Sequence, residues 1–159
     1  MKEYRWIDKT TWPKRGEWDN EPDKVQWIDE ATNLDCLAVR TPHSGHWCGY
    51  VGVTEKHPCF EKDYNQSYDL IDGGFDVHGG LTFSGHCHES ATPERGICHV
   101  PESGRPDNVW WLGFDCAHCG DISPAYQRSM GYGPMDRYRT LNYVKNECAN
   151  LAKQLAGMK

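Results

Sequence analysis

The chain has 159 residues, the length of one domain with a single hydrophobic core. Its net charge of −6 and its lack of any Lys or Arg run exclude a partner such as duplex nucleic acid, whose phosphates would be repelled. Hydrophobic residues make up only 38%, but seven Trp, eight Tyr and four Phe supply large apolar surfaces. We therefore predict one domain, residues 1–159, with an aromatic-rich core.

The sequence predicts a cytoplasmic protein without a membrane partner. Its first residues contain no apolar core of signal-peptide length, and no stretch of about 18 apolar residues occurs. Eight cysteines in a reducing compartment are expected to be thiols or metal ligands, which makes zinc a candidate cofactor. The alternative is that the cysteines fill the core, and this fits best for Cys36, Cys48, Cys59 and Cys148.

The first half of the chain predicts an arm followed by a β-rich body. Residues 1–30 carry four Trp among Pro, Gly and charges without sustained periodicity, which predicts an irregular Trp-rich arm. The body is predicted over residues 35–125. It opens with alternating apolar and polar residues at 35–40 and 47–53, the pattern of a β-hairpin. Residues 57–74 are polar and predict a loop with at most a short strand.

The C-terminal segment has the pattern of an amphipathic helix. Apolar residues recur at steps of three and four at Leu141, Val144, Cys148, Leu151 and Leu155. Pro134, Asp136 and Gly157 bound the pattern, which predicts a helix over 136–156. The predicted fold class is therefore α+β, a mainly antiparallel β-sheet with the Trp-rich arm and this helix.

Potential ligands and acid/base groups are concentrated in residues 75–121, which hold five of the eight histidines and four of the eight cysteines. Between 76 and 88 the even positions are polar and the odd ones mostly apolar, so an unbroken strand would place His78 and Thr82 on one reactive face. Gly79 and Gly80 would offer amides to an anionic group, or would only relieve crowding in a twisted sheet.

The second half of this segment predicts a central strand that ends at a pocket rim. Residues 110–114 are apolar on both faces, as in a strand covered on each side. Acid, thiol and imidazole groups follow at once, and a rigid strand end is a usual support for reactive groups.

The sequence contains no G-x-S-x-G elbow and no P-loop, which argues against common hydrolase and nucleotidase templates.

The candidate site residues fall into three groups. For catalysis they are Asp76, His78, Asp115 and His118. For ligand binding they are Gly79, Gly80, Thr82, His99, Trp111 and Asp121. For a metal they are Cys116, Cys119 and His118, although Cys116 and Cys119 form only one C-x-x-C pair and a closed zinc site would need further ligands.

A series of motifs runs through the body in fixed order: Cys48-Gly49-Tyr50-Val51, His57-Pro58, His78-Gly79-Gly80-Leu81-Thr82, Cys98-His99-Val100-Pro101 and Trp110-Trp111-Leu112-Gly113-Phe114-Asp115-Cys116-Ala117-His118. This series resembles a family of small phage and prophage proteins, with a likeness that runs to Tyr138-Arg139. The resemblance implies a phage origin and a location in the host cytosol, but it implies no reaction.

These observations lead to one leading prediction and two alternatives. The leading prediction is a phage-type protein whose pocket binds a small polar, anionic, nucleotide-like molecule, with a role against host defence signalling suggested by origin alone. One alternative is a metal-dependent hydrolase with His78, His118 and Asp121 as ligands and Asp76 or Asp115 as general base. The other is a zinc-stapled interaction module. A homo-oligomer is compatible with each of them.

Overall fold

A computed structural model describes residues 1–88, 90, 92–126 and 131–158. The described chain forms a six-stranded antiparallel sheet with one long helix, which confirms the α+β, mainly antiparallel class. The strands are β1 (Lys2–Tyr4), β2 (Lys24–Ile28), β3 (Asp35–Arg40), β4 (Trp47–Val53), β5 (Phe83–Gly85) and β6 (Trp110–Asp115). Their spatial order is β1-β2-β3-β4-β6-β5. The helices are α1 (Tyr64–Tyr68) and α2 (Leu141–Ala156).

The predicted hairpin is confirmed, because β3 and β4 pair in antiparallel register. Both strands are buried along their whole length. The second face is covered by the N-terminal segment and by the loop before β6, which pack Trp6 and Ile97 against it. The predicted central strand is also confirmed, since β6 lies between β4 and β5.

The helix α2 covers the other face of the sheet, and all five of its predicted core residues are buried. It begins at Leu141, five residues after the predicted start at 136, because the Thr140 side chain accepts a hydrogen bond from the Tyr143 amide and caps the first turn. Gly157 follows its last turn, as predicted. No helix in the described parts of the chain has the length and apolar character to span a membrane.

Three local predictions differ from the structure. Residues 1–30 contain β1, β2 and two short 3-10 turns, so strand pairing orders both ends of the predicted irregular arm. The predicted loop 57–74 contains α1, which Asp63 and Gln66 cap reciprocally. The predicted strand over 76–88 is broken, because a turn closed by the Gly80 amide and the Val77 carbonyl (2.9 Å) leaves only β5 extended.

The cysteine prediction also needs correction. Cys87 and Cys98 form a disulfide, whereas the sequence had suggested thiols or metal ligands. The pairing is possible because the two Cα atoms lie 4.6 Å apart, where residues 88 and 97 form an antiparallel bridge. The four cysteines predicted to fill the core are free and buried.

Candidate functional site

The centre of the site is the carboxylate of Asp121, which follows the turn after β6 and is 3% exposed. Its Oδ2 accepts a hydrogen bond from His78 Nε2 at 2.7 Å and another from the His118 amide at 3.0 Å. Its Oδ1 accepts one from Arg139 Nε at 2.7 Å. One buried side chain thus joins the turn before β5, the turn after β6 and the segment that leads into α2.

The hydrogen bonds keep Asp121 ionised despite its burial. Burial by itself raises the pKa of a carboxyl group, but the bonds from Arg139, from His78 and from the His118 amide outweigh it. The net effect is a pKa below the usual value of an aspartate. Asp121 is therefore a fixed negative charge at neutral pH.

His78 connects this carboxylate to helix α2. Its Nδ1 lies 2.9 Å from the Tyr143 hydroxyl, and its backbone amide donates to Glu147 Oε2 at 2.8 Å. Because the Asp121 carboxylate can only accept, the hydrogen of a neutral His78 ring sits on Nε2, and Nδ1 accepts the phenolic hydrogen. Carboxylate, imidazole and phenol therefore form one continuous hydrogen-bonded chain.

The phenol of Tyr143 is protonated at neutral pH. Burial, and next the negative charge of Glu147, raise its pKa above the usual tyrosine value, and the lowering effect of Arg139 does not cancel them. The Arg139 guanidinium lies over the phenol ring, 4.9 Å from its centroid.

A second imidazole–carboxylate pair lies beside the first and is open to solvent. His118 Nε2 lies 3.6 Å from Asp115 Oδ1, and the two side chains are 36% and 28% exposed. Asp115 also accepts hydrogen bonds from the exposed Thr82 hydroxyl (2.9 Å) and the Ala117 amide (3.0 Å). The rings of His78 and His118 are 5.6 Å apart. We call the set of His78, Thr82, Asp115, His118, Asp121, Arg139 and Tyr143 the His–Asp cluster.

The two glycines after His78 serve close packing. Gly79 has a φ of +66°, and a Cβ there would lie 2.0 Å from His118 Nε2, so only glycine allows this approach. Of the two amides proposed to cradle an anion, that of Gly80 donates to the Val77 carbonyl, and the next amide along the chain, that of Leu81, donates to the Tyr68 hydroxyl. Within the described residues, the Gly79 amide is the one of the proposed pair that has no hydrogen bond.

Three of the side chains predicted for catalysis or ligand binding do not belong to the cluster. Asp76 is exposed, and its backbone bonds to Gln154 and to Asn150 of α2 at 2.8 Å. Trp111 is fully buried in the core on the opposite face of the sheet from α2. His99 packs edge-on against Trp111, and its Nε2 bonds to the Pro106 carbonyl at 3.1 Å.

The predicted metal ligands are not brought together. Cys116 is buried, and burial raises the pKa of its thiol strongly, whereas Cys119 is exposed. Both ring nitrogens of His78 already have protein partners. In the part of the chain that the structure describes, no group of three or more His, Cys, Asp or Glu side chains is arranged to hold a metal ion.

Sequence reasoning missed Arg139, Tyr143 and Glu147. A signal was present, because Tyr143 and Glu147 are spaced by four and share one side of α2, and Arg139 lies four residues before Tyr143, just ahead of the helix. The apolar stripe of α2 directed attention to its other side.

Comparison with protein-family models, with curated proteins and with solved structures gives no match for the chain.

Proposed function

We propose that the protein binds a small polar molecule of the nucleotide class at the His–Asp cluster and exchanges a proton with it. The observation that carries the proposal is the chain Asp121–His78–Tyr143, with contacts of 2.7 and 2.9 Å. A base within hydrogen-bond reach of a hydroxyl, and itself oriented by a carboxylate, is the general arrangement for activating a hydroxyl.

The proton movements follow from the hydrogen-bond directions. When a donor group of the ligand gives its proton to the Tyr143 oxygen, the phenolic proton passes to His78 Nδ1. The resulting imidazolium is stabilised by the ionised Asp121, and the reverse sequence returns the proton. Arg139 keeps Asp121 charged throughout, because it pairs with the other carboxylate oxygen.

The partly exposed half of the cluster supports ligand binding. His118 and Asp115 are each about a third exposed, and Thr82 beside them is exposed. His118 Nε2 is buried and receives no hydrogen bond from the described residues, and an unpaired buried nitrogen gains from acquiring a partner. Imidazole, carboxylate and hydroxyl groups together can pair with the donors and acceptors of a nucleobase, while His118 and Arg139 can face a phosphate.

The phage resemblance extends the proposal to a biological role. A small phage-type protein that binds nucleotides would be suited to capture a signalling nucleotide of the host. The ligand panel for the test therefore includes nucleotides, cyclic dinucleotides and nucleotide sugars.

Isothermal titration calorimetry with this panel tests the proposal. We expect at least one ligand to bind, with affinity reduced at least tenfold in His118→Ala and unchanged in the control His43→Ala, which alters an exposed histidine outside the cluster. Because the proton stays within the complex, 15N NMR of the His78 ring follows it: ligand binding should give the signals of a doubly protonated ring, and Tyr143→Phe should abolish this change. Flat titrations across the whole panel would contradict binding, and binding without protonation of the His78 ring would contradict the relay.

A further inference from the structure

A second cavity lies on the face of the sheet opposite α2. Its volume is about 540 Å³, within the range of roughly 300–1,000 Å³ that is typical of small-molecule sites. The strands β3 and β4 form its floor with Val39 and Tyr50. Trp6 forms one wall, and the other consists of His88, Arg95 and Ile97, which lie between the two cysteines of the disulfide. We call it the arm–loop cavity.

The first wall is held in place by a buried carboxylate. Asp23 is 1% exposed, and its Oδ2 accepts hydrogen bonds from the amides of Trp6 (2.8 Å) and Ile7 (2.9 Å). Lys9 pairs with the other oxygen of Asp23 at 2.8 Å. The indole of Trp6 is therefore attached to a fixed segment of backbone.

The second wall is held by the next residue along the chain. Lys24 is 1% exposed, and its ammonium donates to the carbonyls of Pro93 (2.6 Å), Gly96 (2.7 Å) and Cys98 (2.6 Å). The disulfide of Cys98 with Cys87 closes the same loop. The consecutive buried residues Asp23 and Lys24 thus hold opposite walls of one cavity. Because the walls are already fixed, a ligand loses less binding free energy to ordering them.

The charges around the cavity favour an anion. The chain has 23 acidic residues, yet none of the described residues that line the cavity is acidic. Arg95 and His88 contribute exposed side chains to the lining. Among the described residues, neither side chain makes a close ion pair or a side-chain hydrogen bond. Glu94, which does not line the cavity, attracts Arg95 electrostatically but leaves the guanidinium accessible to a ligand.

We propose that the arm–loop cavity binds a planar aromatic anion. Its ring would lie against Trp6 and Tyr50, and its carboxylate or phosphate would pair with Arg95, which suits the planar guanidinium. The site goes beyond the function proposed above, because none of the residues that line it belongs to the His–Asp cluster.

Matched pairs of ligands test this site. Indole-3-acetate is compared with indole-3-ethanol, and adenosine 5′-monophosphate with adenosine, by calorimetry and by quenching of tryptophan fluorescence. We expect the charged member of at least one pair to bind at least tenfold more tightly than its neutral partner. The pair that shows the difference identifies whether the natural anion is a carboxylate or a phosphate.

Variants locate the binding. Arg95→Ala should remove the advantage of the charged ligand, whereas Lys153→Ala removes an equal charge from an exposed position on α2 and should change nothing. His118→Ala should also leave this binding intact. Equal affinity for charged and neutral ligands, absence of binding by all four, or an unchanged advantage in Arg95→Ala would overturn the proposal. Loss in His118→Ala would overturn it too, by assigning the ligand to the His–Asp cluster.

Discussion

Two groups of charged side chains connect distant segments of this molecule. They differ in whether their polar groups are all paired within the protein or remain partly exposed to solvent. The first group, which we call the arm hub, consists of Lys9, Glu21, Asp23 and Arg40. Arg40 is fully buried, pairs with Glu21 at 2.8 Å and lies 4.2 Å over the Trp47 ring. Glu21 also accepts hydrogen bonds from Trp47 Nε1 and from the Leu141 amide. The arm hub is largely enclosed, because Lys9, Asp23 and Arg40 are buried and Glu21 is only 15% exposed.

The His–Asp cluster starts from a similar buried pair but opens toward solvent. Asp121 is as buried as Asp23, and it too receives a cation and backbone donors. Beside it, however, His118 and Asp115 are partly exposed and too far apart for a hydrogen bond. Enclosed charges serve the fold, whereas charges left accessible and incompletely paired can serve a ligand. The comparison predicts that substitutions in the arm hub cost stability, while those in the cluster alter binding and titration.

The largest effect is expected from Arg40→Met. The change leaves Glu21 without its cation and Asp23 with Lys9 alone, which costs about 3–5 kcal/mol of the free energy of unfolding. The control is Arg15→Met, because Arg15 is 60% exposed and its pair with Asp19 should contribute less than about 1 kcal/mol. Urea unfolding measures both, and equal losses would break the distinction between enclosed and exposed pairs.

Gly79→Ala should come next. Its positive φ already disfavours alanine by about 1–2 kcal/mol, and the new methyl group must displace the His118 ring at a further cost of about 1–3 kcal/mol. Gly104→Ala is the matched control, since Gly104 has a φ of +82° and open space around it. Thermal unfolding should show the larger loss for Gly79, and only that variant should weaken ligand binding at the cluster. A loss at Gly79 no greater than at Gly104 would show that His118 does not depend on this contact.

Asp121→Asn should cost about 2 kcal/mol at neutral pH, because it removes the negative charge that pairs with Arg139 and replaces one accepting oxygen by an NH2 group, which cannot accept from the surrounding N–H donors. The folded protein lowers the pKa of Asp121, so its stabilisation is present above the ordinary carboxyl pKa near 4 and is lost as pH falls through the lowered value. Urea unfolding from pH 7 to pH 2 should show a smaller acid loss in the variant. The exposed Asp72→Asn should leave the profile unchanged, and a variant that keeps the full acid loss would assign it to other carboxyls.

The smallest effect on stability is expected from Tyr143→Phe. The ring remains packed and only the hydrogen bond to His78 Nδ1 is lost, at a cost of about 1 kcal/mol. The NMR signals of the His78 ring nitrogens should nevertheless move, while those of His43 stay constant. Tyr126→Phe, at a residue 59% exposed, should change neither quantity. An unmoved His78 would separate Tyr143 from the proposed relay.

The sequence by itself determined those elements whose pattern repeats along the chain. Strand alternation located the hairpin at 35–53, an apolar run located β6, and the steps of three and four located α2. It also picked out His78, Thr82, Asp115, His118 and Asp121 within the segment 75–121. Of these, His78 and Thr82 were placed by an unbroken strand that the Val77–Gly80 turn in fact interrupts.

Only the tertiary structure decided which distant segments meet. His78 contacts Tyr143 65 positions later, Lys24 binds a loop about 70 positions away, and Cys87 lies close enough to Cys98 to form a disulfide. Hydrophobic periodicity is a local property, set by the geometry of one helix turn or one pair of strand residues. Hydrogen bonds between remote loops depend instead on how sheet and helix pack. For that reason the residues of the cluster could be listed from the sequence, while the proton chain that joins them could not.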